Sequence, residues 1–222
     1  MVKISPSIIA IDYNDKSVLL DNLKKIESSR ASLLHLDVMD GKFVENVTFD
    51  EKLVEFIKDN TTLLLDVHLM VKNPENHIQK YIDAGADIIS FHIESTEKPK
   101  EVIKQIKENN VICGVAINPE TPLSEIKELI DTGAVDLVLL MSVNPGKYGQ
   151  PFLPESFQKL AELKEMSKDI EIEVDGGVNL KNAKVLRKLG ADILVSGSTI
   201  FTSKNMRKTI QQLKGFCLLC NK

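Results

Sequence analysis

The sequence predicts a closed α/β barrel of eight parallel strands and eight helices, the (β/α)8 or TIM barrel. Apolar strand-like runs alternate strictly with amphipathic helical patterns, there are eight of each, and the chain has only 222 residues. Strict alternation favours parallel strands that are joined by helices. Eight such short units favour closure into a barrel over the alternative, a doubly wound open sheet, which would usually carry fewer units at this length.

The strands are predicted where short runs rich in Val, Ile and Leu are bounded by polar turns. In chain order they are 3–9, 33–38, 62–69, 87–92, 111–117, 135–141, 170–174 and 192–196. The helices are predicted where apolar residues recur at helical spacing among charged ones. They are 15–29, 50–59, 74–84, 97–109, 123–132, 154–168, 179–189 and 204–214.

Three junctions between a predicted helix and the next strand have similar sequences. Gly85, Gly133 and Gly190 each follow a helical pattern and are each followed by Ala. Gly suits the left-handed residue that ends a helix. The recurrence of this junction before strands four, six and eight indicates repeated βα units. Because no linker or low-complexity segment interrupts them, we expect a single domain over residues 1–222.

Composition excludes several classes of protein. The chain has 28 Lys and Arg against 32 Asp and Glu, a net charge of -4, and its basic residues are dispersed. A nucleic-acid partner is therefore not expected. No apolar run is long enough to span a bilayer, so no membrane partner is expected. Residues 1–6 do not resemble a signal peptide, and three Cys cannot all pair. We therefore expect a reduced, cytoplasmic protein in which Cys217 and Cys220 are ordinary residues.

Four potential metal ligands lie at or just beyond the carboxyl ends of three predicted strands: His35, Asp37, His68 and Asp175. His35 and Asp37 are two residues apart, so both point to the same face of their strand. Active sites of this fold lie at the carboxyl ends of the strands. Each His alone would more often be a hydrogen-bonded core residue. Together the four predict one divalent ion per chain, Zn²⁺ or Fe²⁺ before Mn²⁺ or Co²⁺.

Other side chains are expected around these ligands. Asp66 precedes His68 by two residues, so it points to the same face and would support the ligands without itself binding the metal. His92 ends strand four and is expected at the mouth of the barrel. Met39, Met70 and Met141 each end a strand beside the ligands. Met is more often core filler, but three at one rim indicate an apolar wall that excludes water from a reactive intermediate.

Two turns and a loop indicate a phosphorylated ligand. Gly176 and Gly177 follow strand seven, and Gly197 and Ser198 follow strand eight. In barrels of this kind, backbone N–H groups at these two places bind phosphate. One such turn alone is a weak signal, whereas two in the expected places are a stronger one. The loop 143–152 is long and rich in Gly and Pro, which favours a mobile lid.

These segments together resemble the ribulose-phosphate 3-epimerase family. The matching stretches, in family order, are 5–7, 35–41, 43–44 with 46, 66–71, 91–94, 118–122, 141–146, 173–177 and 197–198. The resemblance implies that His35, Asp37, His68 and Asp175 hold the metal and that Asp37 and Asp175 are the catalytic acid and base. It also implies that the substrate is contacted by Ser7, His68 and Asp175 and that its phosphate is bordered by Gly146, Gly149, Gly176, Gly177, Gly197 and Ser198.

The resemblance implies inversion of C3 in a ketose phosphate, D-ribulose 5-phosphate to D-xylulose 5-phosphate, as in the pentose phosphate pathway. Removal of the C3 proton would leave an enediolate, whose charge a divalent ion stabilises. One Asp would take the proton from one face and the other Asp would deliver one to the opposite face. This redox-neutral reaction requires neither nicotinamide nor flavin.

The chain departs from the family pattern in two places. Lys147 and Tyr148 stand where the lid usually has Phe and Gly, and Glu45 stands where Pro is usual. The stretch 150–155 also resembles the allulose-6-phosphate 3-epimerase branch, so D-allulose 6-phosphate is an alternative substrate. A non-catalytic sugar-phosphate-binding barrel would explain the glycines but not the two carboxylates. A phosphosugar lyase or synthase would normally have a Lys at a strand end, and none is found here. A homo-oligomer is expected.

Overall fold

The computed structural model of the chain describes residues 2–216, so Cys217 and Cys220 lie outside the described residues. Eight strands within this range form one parallel sheet, which confirms the predicted barrel. They are β1 (Lys3–Pro6), β2 (Leu33–Met39), β3 (Leu64–Met70), β4 (Ile88–His92), β5 (Ile112–Ile117), β6 (Leu137–Met141), β7 (Glu171–Asp175) and β8 (Ile193–Ser196). The ring closes between β1 and β2, where Ser7 and His35 form an isolated parallel bridge.

Helices follow the strands and pack around the outside of the barrel. They are α1 (Lys16–Ser28), α2 (Glu51–Asp59), α3 (Ile78–Asp83), α4 (Pro99–Glu108), α5 (Ser124–Asp131), α6 (Glu155–Met166), α7 (Ala183–Leu189), α8 (Ser198–Phe201) and α9 (Met206–Lys214). Asp15 caps α1 by accepting hydrogen bonds from the N–H groups of Ser17 and Val18. Of the helices within residues 2–216, none has both the length and the apolar character needed to cross a bilayer.

Three predicted elements differ from the structure by three or more residues at one end. The first strand, predicted over 3–9, ends at Pro6, and Ile8–Ala10 form a 3-10 turn instead. The helix predicted over 74–84 is interrupted: a 3-10 turn at Pro74–Asn76 precedes α3. The helix predicted over 179–189 begins only at Ala183, because Asn179 and Asn182 bond to the backbone as a turn. In each case a local side-chain or backbone hydrogen bond competes with the regular element.

The alternation of side chains along β2 determines which of them face the site. Leu34, Leu36 and Val38 belong to the apolar layer between the sheet and the helices. Leu33 belongs to a smaller cluster inside the barrel, with residues such as Ile88 and Leu139. His35 and Asp37 share the parity of Leu33, so they point into the barrel interior. Burial of the even-numbered side chains against the helices thus directs the two polar ones inward.

Candidate active site

The strand register brings the predicted ligands to one end of the barrel. Asp37 lies opposite His68 in the β2–β3 pair, and His35 lies opposite Asp66 one layer deeper. Asp175 ends β7, opposite Met141 of β6. Because all eight strands are parallel, these residues meet at the carboxyl edge of the sheet.

Four donor atoms, one from each predicted ligand, lie within 4.8 Å of one another. The Oδ1 atom of Asp37 is 3.3 Å from His35 Nε2 and 3.3 Å from His68 Nδ1. The Oδ2 atom of Asp175 is 3.9 Å from the same two nitrogens. The structure therefore brings together all four residues that the sequence singled out as a metal-binding group.

This donor set fits a divalent ion. Two imidazole nitrogens and two carboxylate oxygens suit Zn²⁺ or Fe²⁺. Both His side chains are fully buried. The Nε2 atom of His35 has no hydrogen-bond partner among the described residues. A buried nitrogen without a partner is unfavourable unless its lone pair binds something, and a metal ion would satisfy it.

A second layer of buried polar groups holds His35 from below. The Nδ1 atom of His35 lies 2.7 Å from Asp66 Oδ2, which also accepts a hydrogen bond of 3.1 Å from the Ser5 hydroxyl. Glu173 Oε1 is 3.7 Å from the same ring nitrogen. A carboxylate at Nδ1 orients the ring and leaves Nε2 as the free donor. Asp66 was predicted to support the ligands, and the structure places it at His35. Glu173 was missed, although it precedes Asp175 by two residues and therefore faces inward.

A different group lies behind His68. Its Nε2 atom is 2.9 Å from Nε2 of His92, and His92 Nδ1 is 3.1 Å from Glu94 Oε2. The prediction that His92 lies at the mouth was wrong, because its side chain is fully buried and the Phe43 ring covers it at a centroid distance of 4.8 Å. Glu94 was also missed. It follows the strand, in a 3-10 turn at Ile93–Ser95, where side-chain parity predicts nothing.

Burial and neighbouring charges shift the pKa values of the two central carboxyl groups, Asp37 and Asp175, in opposite directions. Burial, together with the negative charge of Asp37, raises the pKa of Asp175 to about 7. Burial alone would raise the pKa of Asp37 as well, but His35 and His68 outweigh it and hold that pKa well below its usual range. One carboxyl can therefore keep a proton near neutral pH while the other stays ionised, as paired acid and base catalysis requires.

Burial, hydrogen bonds and neighbouring charges also shift the pKa values of the other ionisable groups in the site. Burial lowers the pKa of His68, and it lowers the pKa of His92 to about 4. For Glu94, burial is outweighed by hydrogen bonds from His92 and the backbone N–H of Asn118, which lower its pKa to about 2. Burial and the nearby Asp66 raise the pKa of Glu173 well above its ordinary value.

A cleft opens above the four ligands. Asp37 and Asp175 reach it, whereas the two His lie beneath its floor, fully buried. The remaining predicted contact residues all line the cleft: Ser7, Met39, Met70, Met141, Gly146, Gly149, Gly176, Gly177, Gly197 and Ser198. Ser7 also donates a 2.6 Å hydrogen bond to Asp37 Oδ2.

The predicted lid lies against the loop between β2 and α2. Asn46 donates a 2.6 Å hydrogen bond to the carbonyl of Gly146, and a side chain at Gly146 would press on Val44. Lys147 Nζ lies 3.7 Å from Glu45 Oε2, with the two side chains 69% and 89% exposed. The two departures from the family pattern therefore face each other across the mouth of the cleft.

Comparison with known proteins identifies the family. The profile described as the Ribulose-phosphate 3 epimerase family matches residues 3–201. The ribulose-phosphate 3-epimerase of Bacillus subtilis is 41% identical over 220 residues, which cover 97% of this chain and 99% of that protein. The chain belongs to the ribulose-phosphate 3-epimerase family. It is therefore an enzyme, and the predicted assignment to the carbohydrate isomerases is confirmed.

Further comparisons agree with this family and with the fold. The chloroplastic ribulose-5-phosphate-3-epimerase of Arabidopsis thaliana is 41% identical over 217 residues, covering 95% of this chain and 75% of the relative. Among solved structures, KGPDC from Streptococcus mutans superposes with a TM-score of 0.73 at 14% identity, covering 96% of each chain. The 3-keto-L-gulonate-6-phosphate decarboxylase of Vibrio cholerae has a TM-score of 0.70 at 13% identity, covering 96% of this chain and 95% of that one. At such low identity these structures support the fold alone.

Proposed function

We propose that this enzyme interconverts D-ribulose 5-phosphate and D-xylulose 5-phosphate by inverting C3, with one divalent ion per chain. The names of its relatives support the substrate. The observation that carries the mechanism is the pair of carboxylates, Asp37 and Asp175, which share two His partners and differ in their readiness to hold a proton.

The two carboxylates divide the proton transfer. A carboxylate oxygen of Asp37 takes the C3 proton, and the bonding electrons move into an enediolate that spans C2 and C3. In this proposal the protonated carboxyl of Asp175 then gives its proton to C3 from the opposite face. The two residues come from different strands, β2 and β7, between which β1 and β8 lie. In the reverse direction the two residues exchange roles. Each transfer contributes on the order of 10² to 10⁴ in rate.

The proposed metal-binding atoms are His35 Nε2, His68 Nδ1, Asp37 Oδ1 and Asp175 Oδ2. When bound, a divalent ion supplies positive charge that stabilises the negative charge of the enediolate. Ser7 holds one oxygen of Asp37 in place through its hydrogen bond. We infer that the side chains of Met39, Met70 and Met141, which line the cleft, keep water away from the reacting carbons.

The phosphate would bind at the far side of the cleft, where the loops after β7 and β8 meet the lid. Gly176 and Gly177 have φ values of 117° and 62°, a backbone conformation that other residues rarely adopt. Gly197 precedes α8 and lies against the Ser7 carbonyl. Without side chains at these positions, backbone N–H groups can approach phosphate oxygens closely.

Deuterium labelling tests this function. The metal-loaded enzyme is incubated with D-ribulose 5-phosphate in D₂O, and the products are followed by NMR. We expect D-xylulose 5-phosphate that carries deuterium at C3. A product without deuterium at C3, or no product, would contradict the mechanism. A parallel incubation with D-allulose 6-phosphate tests the alternative substrate, and a higher kcat/KM for that sugar would replace the pentulose assignment.

A further inference from the structure

Three polar side chains form a hydrogen-bonded chain that leads away from the cleft: His68 and His92, which are buried, and Glu94, which is partly exposed. The contacts are 2.9 Å between the two Nε2 atoms and 3.1 Å between His92 Nδ1 and Glu94 Oε2. Both rings are fully buried, and the Glu94 side chain is 23% exposed. The proposed mechanism uses only the first of the three.

The two rings meet edge to edge. Their centroids are 5.0 Å apart and their planes differ by only 27°, while the facing nitrogens are 2.9 Å apart. In this arrangement the lone pair of one nitrogen points at the other, as in a hydrogen bond. One proton can lie between the two nitrogens, so one ring must donate and the other must accept.

Glu94 determines the direction of this hydrogen bond. Its ionised carboxylate can only accept, so His92 must donate from Nδ1. A neutral His92 then has a lone pair at Nε2 and accepts from the N–H of His68 Nε2. This leaves the lone pair of His68 on Nδ1, the atom that faces Asp37 and Asp175. The opposite direction would put a lone pair of His92 against the Glu94 carboxylate.

The loop after β5 fixes Glu94 in turn. The other carboxylate oxygen, Oε1, accepts hydrogen bonds from the Asn118 N–H at 2.8 Å and from the Thr121 hydroxyl. Lys159 of α6 reaches the same loop and donates to the carbonyls of Asn118 and Pro119 at 2.8 and 3.0 Å. Glu94 Oε1, at the outer end of this hydrogen-bonded chain, therefore accepts from both of its loop partners.

We propose that Glu94 and His92 are positioning residues that set the tautomer of His68 and so keep its Nδ1 lone pair available to a divalent ion. The proposal rests on the metal centre of the proposed function. His35 would have the opposite tautomer, because the Asp66 carboxylate at its Nδ1 leaves the lone pair on Nε2. The two His ligands would thus be opposite tautomers, each held by its own carboxylate.

Glu94→Gln tests this directly. The two donors at Oε1 would retain the amide oxygen, so the amide NH₂ would face His92 Nδ1 and donate to it. His92 would then carry its proton on Nε2, and His68 would carry its proton on Nδ1, where the ion should bind. Loss of such a supporting interaction typically weakens metal affinity by 10- to 100-fold. Glu101→Gln is the matched control, since Glu101 lies on α4 and its exposed carboxylate pairs with Lys98 at 3.3 Å, away from the cleft.

Two measurements are made on the full chain. Competition with a chelator gives the Zn²⁺ affinity, and long-range ¹H–¹⁵N NMR shows which ring nitrogen of each His carries the proton. We expect His68 Nε2–H and His92 Nδ1–H in the wild type with zinc bound, and His92 Nε2–H with 10- to 100-fold weaker zinc binding in Glu94→Gln. Glu101→Gln should match the wild type in both.

The outcomes separate the two proposals. Wild-type His92 with its proton on Nε2 would overturn this inference alone, even if Glu94→Gln failed to fold. So would a folded Glu94→Gln with unchanged tautomers and zinc affinity. A wild type that binds no stoichiometric zinc, iron, manganese or cobalt would overturn the metal centre itself, and this inference with it.

Discussion

Gly177→Ala should displace the lid and slow catalysis. Gly133→Ala is its control, because it introduces the same backbone strain without the contact that displaces the lid. The two glycines have nearly the same left-handed conformation, with φ values of 62° and 65°. A Cβ atom at Gly133 would meet nothing within 4 Å. A Cβ atom at Gly177 would lie 2.8 Å from Phe152 Cα and 2.9 Å from the Gln150 carbonyl, whereas ordinary contacts begin at 3.4 Å.

The magnitudes follow from these distances. Both substitutions place Ala in the left-handed region, which destabilises by roughly 1–2 kcal/mol. Gly177→Ala must also move backbone, since the atoms it meets belong to residues 150 and 152 rather than to a flexible side chain. Relative to an ordinary 3.4 Å contact, the overlaps with Phe152 Cα and the Gln150 carbonyl require shifts of about half an ångström, and the closer overlap with the Phe152 backbone nitrogen requires about twice that. A misplacement of about 1 Å can lower a rate by about 10²-fold, so we expect kcat/KM to fall about tenfold or more.

Urea unfolding and steady-state kinetics check this pair of variants. Gly133→Ala should lose stability while keeping wild-type kcat/KM, because it lies at the end of the barrel away from the cleft. Gly177→Ala should lose more stability and also lose activity. Equal kinetics for the two variants would refute the argument that the loop after β7 supports the lid by close backbone contact.

Four further predictions concern the site and its surroundings. Asp37→Asn and Asp175→Asn should each lower kcat by on the order of 10² to 10⁴; metal content is measured alongside, and near-wild-type turnover of either variant would remove that residue from the mechanism. His35→Ala should reduce the stoichiometric metal found by elemental analysis while far-UV circular dichroism stays unchanged, and activity indifferent to both metal content and chelation would contradict the metal centre. Hydrogen bonds from the Thr62 N–H and the Thr61 hydroxyl lower the pKa of Glu27 below its ordinary 4.5. Wild type should therefore be more stable than Glu27→Gln above pH 4.5, and this difference in stability should disappear as the pH falls below 4.5. Urea unfolding at several pH values measures it, and a difference that grows at low pH would have the wrong sign. Lys147→Phe should change KM for D-ribulose 5-phosphate no more than a few-fold, since Lys147 is exposed and already faces Glu45. A large change in KM for only one of the two sugar phosphates would show instead that the lid selects the substrate.

The strand and helix pattern was predictable because burial has a period. In β2, the alternation of apolar side chains specifies which face packs on the helices, and this alone places His35 and Asp37 inside the barrel. Gly85, Gly133 and Gly190 all have the expected positive φ, of 92°, 65° and 101°. The boundaries near Pro6 and Ala183 were not predictable in this way, because single hydrogen bonds in turns decide them and leave no periodic signal.

The sequence by itself therefore determined the barrel, the inward direction of His35, Asp37, His68 and Asp175, and the Gly turns beside the cleft. The barrel follows from the order and number of the elements along the chain, and the rest follow from the local spacing of residues within or just after one element. Only the tertiary structure decided that Glu173 joins Asp66 beneath His35, that Glu94 reaches His68 through His92, and that Glu45 faces Lys147. These contacts depend on the stagger of neighbouring strands and on the paths of loops that lie far apart in the chain. Such distances are set by packing of the whole barrel, and no local spacing encodes them.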